Sequence, residues 1–153
     1  MAKRIKIGDV VKITTPRGLG FAHYTHKHAM YGSVLRILPG LYDATPADLA
    51  RLVAQRPQFI ALFALQAAVG QGLVEIVGNA GVPAEAQQFP LFRAPMRTPG
   101  GGVSAWWLWD GVREWRVGGL DEGQRSLPLR EIVSLPLLVD RMLAGWTPEQ
   151  EAA

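Results

Sequence analysis

The run Ala105 to Val117, A-W-W-L-W-D-G-V-R-E-W-R-V, carries four of the five tryptophans of this 153-residue chain. Rings of that size, set on either side of an Asp-Gly pair, leave few options other than a β-hairpin. With Asp110-Gly111 as a two-residue turn, Trp109 falls opposite Val112, Trp107 opposite Glu114, and Trp106 opposite Trp115. The pleat then separates two faces. Trp106, Leu108, Trp115 and Val117 share one, where a Trp106–Trp115 cross-strand pair anchors a core. Trp107 and Trp109 share the other with Glu114 and Arg116. That second face is either a binding surface, with Trp107, Trp109 and Arg116 as contact residues and Arg113 and Glu114 at the margin, or it is covered by a second layer of the fold.

A chain of this length, with 48% hydrophobic and 19% charged residues, can build one well-formed core and is too short for two. A single domain over residues 1–153 is expected. There is no cysteine, which removes disulfides, thiolate nucleophiles and cysteine-held metal sites. The first residues, M-A-K-R-I-K-I-G-D, pass directly into a strand-like pattern without the apolar stretch of a signal peptide. No segment nears the roughly 18 apolar residues of a membrane span, so a cytoplasmic protein without a membrane partner is expected. The net charge is only +3, but it is unevenly spread. Residues 1–40 hold seven basic side chains (Lys3, Arg4, Lys6, Lys12, Arg17, Lys27, Arg36) against Asp9 alone, giving +6 there and −3 in the remainder. A basic end suits a polyanion such as nucleic acid. It equally suits sheet edges that use Lys and Arg to block aggregation.

Ile5 to Ile13 alternates around an interruption at Gly8-Asp9 and reads as a strand. Phe21 to Thr25 follows after turn chemistry, and Tyr31 to Leu38 makes a third strand that stops at Pro39-Gly40. Thr45-Pro46-Ala47-Asp48 opens a helix with Thr45 as its cap, running to about Gln55 with Leu49, Leu52 and Val53 inward. Phe59 to Leu65 is apolar nearly throughout, as in a strand covered on both faces, with a helix as the competing reading. A helical turn at Ala67 to Val69 and a strand at Leu73 to Val77 come next. The stretch from about 83 to 102 holds four of the eleven prolines and connects more than it packs, with a short strand around Phe89 to Phe92. A last helix spans about Leu137 to Ala144, turns Leu138 and Met142 inward, and ends at Gly145. Together these elements predict an α+β fold: a curved, mostly antiparallel sheet of six to eight strands, or a partly open SH3-like barrel, with two short helices.

Candidate chemistry is sparse. All three histidines lie within His23 to His28. On an extended strand His26 and His28 share a face, as two metal ligands need, while His23 points away. No carboxylate lies near enough in sequence to complete the set, and Lys27 and Arg36 make the surroundings cationic. A polar turn is the competing reading. Ser33, Ser104, Ser126 and Ser134 sit in no nucleophile elbow. Gly100-Gly101-Gly102 is followed by a strand pattern and no G-K-[ST], so it is not a phosphate loop. No catalytic constellation and no cofactor are read from these residues. Tryptophan interleaved with arginine can stack bases or anchor a protein interface.

The order of several short segments resembles the immunity protein 26 family of bacterial polymorphic-toxin systems. These are G-D-V-V-K-I at Gly8, L-V-E-I-V-G-N at Leu73, F-P-L-F-R at Phe89, the tryptophan hairpin, and L-P-L-R-E-I at Leu127 followed by a short helix. The resemblance covers most of the chain. It implies a small α+β protein that neutralises a toxin by binding it, without chemistry of its own. A non-enzymatic protein-binding module is the expectation, with a nucleic-acid-binding module using the basic first 40 residues as the alternative.

Overall fold

The computed structural model describes residues 4–151, so Lys3 lies outside the described residues. Among the described residues, eight strands form two antiparallel sheets, with three short helices around them. The larger sheet has the order β4-β3-β2-β1-β5, built from β1 (Asp9–Thr15), β2 (Gly18–His28), β3 (Gly32–Ile37), β4 (Phe59–Phe63) and β5 (Glu75–Asn79). The smaller has the order β6-β7-β8, from β6 (Phe92–Arg97), β7 (Val103–Trp109) and β8 (Glu114–Gly118). The α+β class therefore holds, but as two sheets and no closed barrel.

A short strap joins the sheets along their edges. Arg93 N donates to Pro128 O and Arg130 N to Arg93 O, each at 2.8 Å, and Val133 N donates to Leu62 O at 2.9 Å. L-P-L-R-E-I thus runs beside β6 and then beside β4, the terminal strand of each sheet.

The larger sheet is covered on both faces, which is why Phe59 to Phe63 is apolar at every position. One face places Val11, Ile13, Tyr24, Leu35, Ala61 and Phe63 against α2 (Leu65–Gly70) and α3 (Leu135–Ala144). The opposite face is shared by two neighbours. Val10 and Phe21 receive Leu52 and Val53 of α1 (Leu49–Val53), while Val34 and Leu62 receive Phe92 and Trp109 of the smaller sheet.

The helix boundaries differ from those the sequence predicts, α1 beginning later and the other two earlier. Asp48, rather than Thr45, caps α1: its Oδ1 accepts from Arg51 N at 3.0 Å, a bond that satisfies an otherwise orphaned donor. The same helix ends on the buried Arg36 guanidinium, which donates to Val53 O and Gln55 O. The turn at Ala67 to Val69 extends into a full helix, making three instead of two. The last helix starts at Leu135 under a Ser134 cap and closes at Gly145 with φ of 63°, as expected for a left-handed C-terminal glycine. Among the described residues no helix is long and apolar enough to cross a membrane.

Candidate functional site

The tryptophan hairpin forms, but its turn slips by one residue. Asp110 Oδ1 accepts from Val112 N at 2.9 Å and from Arg113 N at 2.7 Å, and those bonds hold its carboxyl below the usual range, the Arg113 bond foremost. Asp110 N donates to Arg113 O at 3.1 Å. Asp110 and Arg113 therefore face each other, and Gly111-Val112 is the turn centre. Glycine fits its first position because φ there is +97°.

The slip moves every pairing by two residues. Trp109 lies opposite Glu114, Leu108 opposite Trp115, and Trp107 opposite Arg116. A bulge then puts Trp106 opposite Gly118, so the expected Trp106–Trp115 pair does not form. The side-chain composition of each face survives, but the burial does not follow. Trp106 is buried beneath the Arg93 guanidinium, 4.6 Å from the centre of its ring. Trp115, expected in the core, is 40% exposed.

Trp109 corrects the other half of the expectation. It is only 5% exposed, because its face of the hairpin lies on Val34 and Leu62 of the larger sheet. Trp107 is half-buried. Glu114 pairs with Arg130 at 2.6 Å, and the Arg130 guanidinium sits 5.6 Å from the Trp109 ring. Arg113 and Arg116 are exposed. Of the five expected contact residues, one is a core residue, one is half-covered and one is held by an ion pair.

The histidines explain how the hairpin is held down. A bulge between Tyr24 and His26 reverses the strand alternation, so His23, His26 and His28 face Arg36, Val34 and Gly32 respectively, all on one side of the sheet. The expectation that His23 points away fails for that reason. His28 Nε2 donates to Gly111 O at 2.9 Å, at the hairpin turn, while its Nδ1 accepts from Met30 N and Tyr31 N at 3.1 and 3.2 Å. The ring meets Trp109 edge-on, with centroids 4.9 Å apart. Phe89 closes the cluster against His26, Phe92 and Trp109. A Cβ at Gly111 would lie 2.8 Å from the Phe89 ring. One imidazole thus bridges the β2–β3 turn and the hairpin tip.

This clasp leaves no metal site at His26 and His28. His26 donates through Nε2 to Gln87 O at 2.8 Å, and its Nδ1 lies 2.8 Å from Thr25 Oγ1. Both nitrogens of both rings have protein partners, and among the described residues no group of three ligating side chains comes together. His23 is fully buried, with Nε2 bonded to Gly8 O and Ala80 O. Burial, ahead of every other cause, holds its imidazole below the ordinary value of 6.5.

The exposed residues at the clasp are ones the sequence reading passed over. Met30 is 81% exposed and Val112 is 89% exposed, the highest values among the large hydrophobic side chains described. They occupy the two turns that His28 ties together, with Arg113 beside Val112. The available signal was an apolar residue at the tip of each turn, where polar residues are the norm. A concavity between α1 and the 84–90 loop, lined by Thr25, Arg36, Ile60 and Glu85, offers less chemistry, because Arg36 is already committed to the carbonyls of Val53 and Gln55. No protein-family model, curated protein or solved structure matches the chain.

Proposed function

We propose that this chain is a non-enzymatic, cytoplasmic protein-binding module of the immunity-protein kind, neutralising a toxin by direct contact. The paired turns carrying Met30 and Val112 are its contact surface, with Arg113 at the rim. The observation that supports this reading is that the two most exposed large apolar side chains stand on separate turns whose backbones are pinned by one imidazole. Apolar side chains on a rigid mount suit association, because little is lost in ordering them on binding. A cationic rim adds steering toward an acidic partner.

The nucleic-acid alternative draws less support. Of the basic residues behind it, Lys12 is paired with Glu75 at 2.7 Å and Arg36 is buried. Arg4, Lys6, Arg17 and Lys27 remain exposed.

The test is co-expression with the product of the adjacent gene, since an immunity protein is encoded beside its toxin, followed by measured affinity of the purified pair. Met30→Ser with Val112→Ser should weaken the complex at least about tenfold, the scale of a lost interface anchor, without lowering the melting temperature. An unchanged affinity would reject the surface. Binding to oligonucleotides that falls steeply with salt, with no protein complex, would reject the reading itself.

A further inference from the structure

β8 ends the smaller sheet, and its outer edge is unpaired among the described residues. Because Asp110 and Arg113 exchange a backbone bond across the turn, the alternation of an antiparallel ladder directs the backbone groups of Arg113 and Trp115 toward β7. Those of Glu114 and Arg116 point outward. Glu114, Trp115 and Arg116 are all exposed, so no other element among the described residues covers this edge.

We propose that β8 is a homodimer interface, in which two copies of the chain pair their β8 strands antiparallel about a two-fold axis at Trp115. The sequence Glu114-Trp115-Arg116 is complementary to itself in that register alone. Trp115 faces its own copy, each Glu114 faces the partner's Arg116, and each Arg116 faces the partner's Glu114.

The backbone agrees with the side chains. Glu114 and Arg116 are the residues whose N–H and C=O point outward, so the two charged pairs are the hydrogen-bonded pairs and supply about four backbone bonds. Trp115 then occupies the non-hydrogen-bonded position, where opposing side chains approach most closely. Its 40% exposure is the ring area that the partner's Trp115 covers. Arg130 already fixes the Glu114 carboxylate through Oε2, which orients the group without consuming both oxygens. Charges on an edge strand ordinarily repel foreign strands. Here the same charges admit one partner, a second copy, and the result is a six-stranded sheet across the axis. The proposal does not depend on toxin binding, which uses the turn tips.

Sedimentation equilibrium of the purified chain tests it. A contact this small predicts a dissociation constant of about 10–100 μM. Arg116→Pro removes only an outward N–H, a position where an edge strand tolerates proline, and should leave a folded monomer. Charge reversal gives a test that does not depend on proline. Glu114→Arg alone and Arg116→Glu alone should each weaken self-association at least about tenfold, because like charges then face each other. Mixing the two variants should restore dimers of mixed composition. A wild-type chain that stays monomeric at about 1 mM overturns the proposal. So does a dimer undiminished by Arg116→Pro, or single-charge variants that fail to associate with each other on mixing.

Discussion

Replacing His28 with alanine should loosen the hairpin tip more than any other part of the molecule. The lost Nε2 bond to Gly111 O is worth about 1 kcal/mol net. The edge contact with Trp109, centroids 4.9 Å apart at 65°, adds roughly 0.5–1.5 kcal/mol. Met30 N is exposed, so water replaces that acceptor, but the part-buried Tyr31 N also loses its acceptor, at about 0.5 kcal/mol. The total is about 2–3 kcal/mol, a large share of the stability of a small domain. Urea denaturation followed by tryptophan fluorescence measures the total. Native-state amide exchange locates it, since the bonded amides of Asp110, Val112 and Arg113 should lose protection while β1 keeps its own. A destabilisation below about 0.5 kcal/mol, with exchange at the tip unchanged, would show that His28 does not hold the two turns together.

Three further outcomes follow from the same contacts. Gly111→Ala should cost about 2–4 kcal/mol, part from φ of +97° and part from the Phe89 ring; a melting temperature equal to wild type would contradict it. Arg93→Met should destabilise by about 2–4 kcal/mol, because the buried guanidinium donates to Leu127 O and Pro148 O, and limited proteolysis should then cut near Pro148 first. For His23, the unfolded chain takes up a proton as pH falls through 6.5, while the folded chain resists because burial lowers its imidazole's affinity. Stability is therefore full above about 6.5 and declines below it until the folded form also protonates. His23→Leu should flatten that part of the curve below about pH 6.5, as read by unfolding free energies at each pH.

The sequence showed element type better than position. Strand alternation at Val10 to Ile13 and Val34 to Ile37, the buried run at Phe59, and the Gly145 helix stop are local signals, and each lies where local chemistry puts it. Asp110-Gly111 marked a turn correctly, but its register depended on the Asp110 carboxylate capping the following amides, which placed Gly111 first in the turn. Which hairpin face is buried was not legible, since Val34 and Leu62 lie far away in the chain and nothing local says that they meet Trp109. The histidines misled for a similar reason. One bulge after Tyr24 reverses the alternation, and no residue type announces it. Met30 and Val112 were readable in principle as apolar turn residues, but the joining of their two turns required knowing that His28 reaches Gly111.

The central claim is that Met30 and Val112 form one surface across two turns, and the absence of cysteine makes it directly measurable. With Met30→Cys and Val112→Cys introduced together, a short bifunctional maleimide should link the two positions within one native chain. It should do so far less in urea, and less again with His28→Ala added. Equal cross-linking in native and urea-unfolded protein, or none in the native state, would contradict the paired-turn surface.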